Sequence, residues 1–378
     1  MNDQLFDCGI AGGGLAGLTL AIQLAGAGYS VVLFEKEKYP FHKVCGEYIS
    51  MESVDFLERL GLPLSAMDLP VINEVKISSP NGNSFTRKLD LGGFGISRFT
   101  LDSALAAIAK TKGVALLQGT KVTGIVFEND SFLMKTDQQT YRVKTAFGAY
   151  GKRSALDKKL NRNFLNPIHR KEKNYVAVKY HVKTDFPPNR IELHNFKDGY
   201  CGISKVDGDR YCLCYLTDSK NLKNNNNDIK LMEQNVLMKN PFLKKYFTDA
   251  VILYEQPLTI SQITFGKKST IENHVLMLGD AAGTITPLCG NGMSMAMHAS
   301  FKAFGLTDKF LKGKITRQVL ESSYSNEWNN LFLNRIKTGL FLQHLFGKNL
   351  LTNIAIGLLK RTPFVTDKLI KKTHGSKF

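Results

Sequence analysis

The chain has 378 residues, 43% of them apolar and 22% charged, which is ordinary for a folded protein and excludes wholesale disorder. Fifty Lys and Arg against 33 Asp and Glu leave a net charge of +17, which points to an anionic partner: a membrane surface, a nucleic acid, or a phosphate-bearing cofactor or substrate. No run of about 18 uncharged apolar residues occurs, so a membrane-spanning helix is not expected, and the length suggests two interleaved domains.

The first element in chain order is a strand-like run, Phe6 to Ala11, leading into Gly12-Gly13-Gly14-Leu15-Ala16-Gly17. An apolar helical run from Leu18 to Ala25 follows, and Tyr29 to Glu35 reads as a second buried strand. Gly12, Gly14 and Gly17 satisfy GxGxxG, where the glycines serve a tight turn, backbone approach to a pyrophosphate, and close helix–strand packing. The helix N-terminus, around Ala16, offers free N–H groups to phosphates. Glu35, 18 residues after Gly17, can accept from ribose hydroxyls, and as an acid it disfavours a 2′-phosphate. This unit therefore suits FAD or NAD better than NADP.

Val71 to Asp90 reads as a hairpin turning at Asn81-Gly82. Tyr175 to Lys183, Arg190 to Phe196, and Tyr200 to Lys205 with Tyr211 to Leu216 read as strands of a lid over a substrate pocket. His194 and Tyr200 are acid–base candidates there, though no catalytic residue is assigned. Asn221 to Asp228, with four consecutive asparagines, reads as a solvated loop. The six cysteines form no CxxC pair and no zinc spacing, so no metal is expected. A reduced, cytoplasmic protein without a leader peptide is the expectation.

Downstream, a short strand ends in Gly279-Asp280-Ala281-Ala282-Gly283, and Pro287-Leu288-Cys289-Gly290-Asn291-Gly292-Met293 opens a Met- and Ala-rich helix. Asp280 can accept from a polyol hydroxyl. A helix N-terminus flanked by Gly290 and Gly292 can donate N–H groups to a carbonyl-rich ring. Ribitol and the pyrimidine side of a flavin need this pair and a nicotinamide does not, so the cofactor is FAD. From Leu331 to Phe378, nine Lys or Arg face one acid, Asp367, and two amphipathic helices separated near Pro363 fit the pattern. They cap the flavin domain or lie partly on an anionic bilayer at the inner face of the membrane. Nucleic-acid binding is not expected, since no binding module accompanies the charge.

These motifs resemble the FAD-dependent family of aromatic hydroxylases and geranylgeranyl reductases, with flavin halogenases as cousins. The ribitol and isoalloxazine motif of that family, GDAAxxxxPxxGxGxxxA, is matched at Gly279, Asp280, Ala281, Ala282, Pro287, Gly290, Gly292 and Ala296. Arg98-Phe99-Thr100-Leu101-Asp102 is similar to the family's helix start whose Arg lies over the cofactor, and Lys43-Val44-Cys45-Gly46-Glu47 resembles a segment of the reductase branch. By the same likeness Val122 touches adenine through its backbone. The resemblance spans residues 6 to 305.

Three family features are altered. In the segment that usually reads GADGxxSxVR, Tyr150 replaces the acid and Asp157 the Arg, so NAD(P)H and a separate electron-donor protein both stay open as electron sources. The halogenase WxWxIP motif is absent, and Trp328, the single tryptophan, falls in a polar helix. The reductases' YxWxFP segment survives as a trace around Tyr200.

The resemblance implies an α/β fold: a Rossmann-like FAD-binding domain of the p-hydroxybenzoate hydroxylase type, interleaved with a β-sheet substrate domain and followed by a C-terminal helical segment. The expected division is 1–70, 98–163 and 256–310 for flavin, 71–97 and 164–255 for substrate, and 311–378 for the helices. The leading expectation is a monooxygenase acting on a hydrophobic phenolic or polyketide-lipid substrate. Reduction of a prenyl double bond comes second, and a flavin-binding redox partner without small-molecule chemistry third.

Overall fold

A computed structural model describes residues 5–165, 174–346, 349–373 and 375–378. The chain opens with β1 (Leu5–Ala11), α1 (Leu15–Gly26) and β2 (Val31–Glu35), then β3 (Tyr48–Ser50) and α2 (Val54–Arg59). Next come β4 (Val71–Ser78), β5 (Ser84–Gly95), α3 (Arg98–Thr111), β6 (Ala115–Gln118), β7 (Val122–Glu128), β8 (Ser131–Thr136), β9 (Thr140–Gly148) and α4 (Ala155–Lys159). The middle holds β10 (Tyr175–Lys183), β11 (Arg190–Phe196), β12 (Gly199–Lys205) and β13 (Tyr211–Asp218), followed by α5 (Ser219–Lys223), α6 (Ile229–Asn235) and α7 (Pro241–Asp249). Six short strands come next: β14 (Val251–Ile252), β15 (Leu258–Ile263), β16 (Gly266–Lys267), β17 (Ile271–Glu272), β18 (Val275–Met277) and β19 (Gly283–Thr284). The chain then turns helical with α8 (Gly292–Leu311), α9 (Arg317–Phe346), α10 (Asn349–Arg361) and α11 (Pro363–Thr373).

The first sheet runs β17-β18-β9-β1-β2-β6, with β8 and β7 added beyond β9. From β18 to β6 its neighbours are parallel. All of β2 is buried, as a strand covered on both faces must be, and hence it reads as an unbroken apolar run. Nine of the twelve residues of α1 are buried too. Thr19 of α1 meets Ser300 of α8 at 2.7 Å between hydroxyls, which ties the first Rossmann helix to the helix after the second motif.

The second sheet runs β14-β10-β13-β12-β11-β4-β5-β3, with β15 also on β10. It takes β3 and β15 from outside the boundaries expected at residues 70 and 255. Its hairpin turns at Asn81-Gly82, where Gly82 has φ +86°. One face, including Val178, Tyr180, Leu213 and Tyr215, packs against Met232, Leu243 and Tyr246 from the α6–α7 region. The other carries Ala177, Tyr200, Leu216, Ile263 and Phe265 against Val44 and Leu288, residues of the two motif loops. The sheet is thus a lid whose underside, apolar around Ala177, Leu216 and Phe265, faces the flavin motifs.

The expected α/β architecture with a helical C-terminus is the one observed. Two local expectations are corrected. Asn221 sits in α5 rather than in a solvated loop: it is buried, and its amide donates to the Lys197 carbonyl (2.7 Å) and to Thr217 Oγ1 (2.9 Å). Asn225 is buried beside it and donates to the Asn221 carbonyl. Trp328 of α9 is 2% exposed, packed over Gly283, so the polar look of that helix describes its outer side alone.

Candidate active site

The first motif builds an anion cradle. A methyl group on Gly17 would lie 2.0 Å from the Gly12 carbonyl oxygen, so α1 seats on β1 through bare backbone, and Gly12 turns at φ +110°. The start of α1, with Gly14 as cap and Ala16 in the first turn, has no side-chain cap and no acid. Its orphan N–H groups and the positive end of its dipole face outward. Arg98 Nη2 and Lys43 Nζ converge on it, 3.8 and 3.9 Å from where a Gly14 methyl would sit.

Both cations are held by Asp102 of α3. Arg98 grips it with Nε and Nη2 at 2.7 Å each, and Lys43 adds a contact of 3.0 Å. Burial pushes the Asp102 carboxyl up, but the Arg98 and Lys43 charges outweigh that and hold it below the usual range. Arg98 is therefore a largely covered residue held by Asp102, with its side chain 12% exposed. Glu35, 6% exposed, accepts from the Gly13 N–H (3.0 Å) and the Glu37 N–H (3.1 Å) at the end of β2.

The second motif meets the first. A methyl on Gly279, at φ +55°, would lie 3.4 Å from both Ala16 and Ala296. Asp280 stands 3.9 Å from Lys152, and its carbonyl accepts from Lys268 (3.0 Å). Gly290 takes φ +66° beside Tyr48 and precedes α8, which starts at Gly292 without a side-chain cap. Met293 is buried in the first turn, and Ser294 Oγ is buried with no partner among the described residues. A small cavity lies between Gly279, Asp280, Gly292, Ala296 and Trp328.

These features fit FAD. Two uncapped helix starts, two convergent cations, the Glu35 carboxylate and the Asp280 strand end match a pyrophosphate, a ribose, a ribitol chain and an anionic ring edge. Val122 is placed differently from the rest. Its side chain is buried in the core at the start of β7, and it adjoins the end of β2 through Thr120, whose N–H donates to the Glu35 carbonyl.

Cys45 and Gly46 form a turn between the flavin motifs and the lid. Cys212 of β13 donates its thiol to the Cys45 carbonyl (3.3 Å), and Gly46 opens onto space, with nothing within 4 Å of where its methyl would be. Tyr200 lies on this underside of the lid. His194 does not, contrary to its candidacy. It is wholly buried on the far face, bonded to Ser78 and Glu192 and stacked on Phe242. The altered fingerprint is bonded within itself: the Tyr150 hydroxyl donates to Asp157 (3.0 Å), and buried Arg162 donates to both.

Sequence reasoning missed the charged cluster behind Cys45. Glu47, at φ +56°, is wholly buried with Lys179 and His181 of β10 on its two carboxylate oxygens, each at 2.5 Å. A signal was present in β10, where Lys179 and His181 continue the face of Tyr175 and Ala177 and break its apolar character. Their partner lies more than 130 residues upstream. Glu47, His181 and Cys212 bring ligand atoms within 4.8 Å of one another, but the Lys179 ammonium already sits on Glu47 and repels a cation.

A Rossmann cradle joined to an Asp-ended strand and an uncapped ring-side helix defines an FAD-dependent oxidoreductase. The chain belongs to the family described as FAD binding domain, whose profile matches residues 6–331. Conditioned medium factor receptor 1 of Dictyostelium discoideum is 26% identical over 412 residues, covering 100% of this chain and 76% of that protein. Digeranylgeranylglycerophospholipid reductase 1 of Methanococcoides burtonii is 25% identical over 379 residues, covering 92% and 85%. Among solved structures, a geranylgeranyl bacteriochlorophyll reductase-like protein of Thermoplasma acidophilum superposes with TM-score 0.80 at 17% identity, covering 99% of this chain and 97% of its own. A flavin-dependent brominase reaches 0.79 at 18%, covering 98% and 93%. At such identities the structures speak for the fold alone.

Proposed function

We propose that the protein reduces carbon–carbon double bonds of an isoprenoid lipid, with FAD as the source of electrons. The observation that carries this is the apolar part of the lid's underside, Ala177, Tyr200, Leu216, Ile263 and Phe265, set against Val44 and Leu288 of the two motif loops. A polyprenyl chain buries well against such a wall, at roughly 25 cal/mol per Å² of apolar area. The order of the two leading expectations is reversed here. A relative aligned over 92% of the chain is named as a lipid reductase, and the reductase-like segment at Lys43 to Glu47 supplies both a cradle cation and the buried carboxylate. Bound FAD would supply the two-electron reductant.

The test is anaerobic. The FAD-loaded protein is reduced with dithionite and mixed with vesicles containing digeranylgeranylglycerophospholipid. The expected result is flavin reoxidation without O2 and lipid carrying two more hydrogens per reduced bond. Reoxidation that waits for O2, with oxygen incorporated into the lipid, would overturn the reductase in favour of the hydroxylase.

In this reading the C-terminal helices rest on an anionic bilayer at the cytoplasmic face. Among the described residues no helix is long and apolar enough to cross a membrane. Yet Phe341, Ile354, Leu358, Phe364 and Val365 are all more than half exposed, Phe364 at 80%. Lys337, Lys360, Arg361 and Lys371 on the same three helices are exposed as well. Each basic residue near an anionic surface contributes about 1 kcal/mol. Co-sedimentation with vesicles containing phosphatidylglycerol is expected at low salt and should weaken in Phe341→Ser/Phe364→Ser. Equal sedimentation with neutral vesicles, or none with anionic ones, would remove this contact.

A further inference from the structure

Behind the Cys45-Gly46-Glu47 turn, four side chains form an unbroken hydrogen-bonded line from the surface to the buried carboxylate. His42, half-buried and stacked on Phe99 of α3 (ring centroids 4.7 Å apart), meets the Tyr254 hydroxyl through Nδ1 at 3.2 Å. That hydroxyl meets Nδ1 of His181 at 2.5 Å. His181 Nε2 meets Glu47 Oε2. The outer pair is partly open to solvent, whereas His181 and Glu47 are 0% exposed.

Each of these groups can both take up and release a proton: two imidazoles, a phenol and a carboxylate. A proton arriving at His42 can therefore pass by short hops through Tyr254 Oη and His181 to Glu47. Such a line is not needed to hold the fold at this point. Lys179 and the Arg98 N–H (2.8 Å) already satisfy the other Glu47 oxygen, and the two histidines with Tyr254 add a polar string where an apolar packing would do. Burial pushes the Glu47 carboxyl up, but the His181 bond and the Lys179 charge hold it below the usual range, so the inner end is anionic and a proton passes on from it rather than resting there. Burial and the Lys179 and His181 charges hold His42 low, so the outer end gives up a proton readily.

We propose that His42, Tyr254, His181 and Glu47 are a proton relay from solvent to the buried carboxylate beside the Cys45-Gly46 turn. The use of that proton rests on the reductase reading. Saturating an alkene breaks one π bond and forms two C–H bonds, one with a hydride from reduced FAD, which is oxidised by two electrons, and one with a proton. The relay supplies the proton. Histidine, tyrosine and glutamate here are positioning and proton-carrying residues.

The experiment needs no lipid, so its failure is distinct from failure of the reductase reading. Two-electron reduction of bound FAD itself takes up a proton. The FAD-loaded protein is reduced anaerobically with reduced methyl viologen, a one-electron donor that releases no proton, in weak buffer containing a pH-indicator dye, and proton uptake is timed against flavin bleaching. Tyr254→Phe keeps the ring and removes the single hydroxyl that joins His42 to His181. It should keep FAD occupancy and melting temperature, while proton uptake lags bleaching by about tenfold or more. His42→Ala should show the same lag, and imidazole added to solution should abolish it. Uptake that keeps pace with bleaching in both variants would overturn the relay. So would a lag in His42→Ala that imidazole leaves unchanged, because a merely structural role for His42 predicts no rescue.

Discussion

Gly17→Ala is expected to yield a folded protein that retains less than about a tenth of its FAD, a loss equivalent to roughly 1.4 kcal/mol or more. The added methyl would meet the Gly12 carbonyl oxygen at 2.0 Å and Ile10 Cγ2 at 3.3 Å. Backbone is the obstacle on one side and a fully buried strand on the other, so α1 must move away from β1. Gly12, at φ +110°, cannot yield in its place. Overpacking of this kind costs about 1–3 kcal/mol and displaces the helix N-terminus from the phosphates it would bind. Gly26→Ala is the matched control. It lies in the last turn of the same helix with nothing within 4 Å of its methyl, and helix propensity predicts a gain of up to about 1 kcal/mol. The flavin-to-protein absorbance ratio and the melting temperature of the two variants read the result. Equal FAD content in both would show that α1 does not carry the pyrophosphate.

Lys179→Met should be the most destabilising single change in the lid, at about 3–5 kcal/mol near neutral pH, because it leaves the Glu47 carboxylate buried without its cation. Adding Glu47→Leu should recover most of that loss, since a buried ion pair replaced whole by apolar groups is often close to neutral. The pH dependence has a definite sign. In the wild type the Glu47 carboxyl is held below its ordinary 4.5, so its contribution is full above that value and fades as pH falls through the folded one. Without Lys179 the folded carboxyl rises, and the variant has less stability to lose across the same range. Urea denaturation at pH 7 and at pH 4 should therefore give a large gap between the two proteins at pH 7 and a smaller one at pH 4. A gap that widens towards pH 4 would contradict the ion pair.

The flavin motifs were readable because each is local. Strand, glycines, helix, strand and acid fall within 6–35, and backbone geometry alone demands glycine at positions 12 and 17. The same holds for Asp280 with Gly290 and Gly292, whose spacing places a strand end beside a helix start. What escaped were contacts that only the fold creates. Lys179 and His181 look like interruptions in an apolar strand until Glu47 arrives from more than 130 residues upstream. His194 and Tyr200 look equivalent, but β11 and β12 are buried on both faces, so alternation cannot tell the side facing Phe242 from the side facing Leu288. Tyr150 and Asp157 look like two losses from a fingerprint, yet they bond to each other and to Arg162.

The sequence by itself thus determined the cofactor class and the Rossmann frame, because tight turns and helix starts are written in neighbouring residues. Tertiary structure alone decided the pairing of Glu47 with Lys179 and His181, the apolar underside of the lid and the placing of Trp328 over Gly283. Burial and hydrogen bonding across more than a hundred residues depend on which faces meet, and no local pattern carries that information.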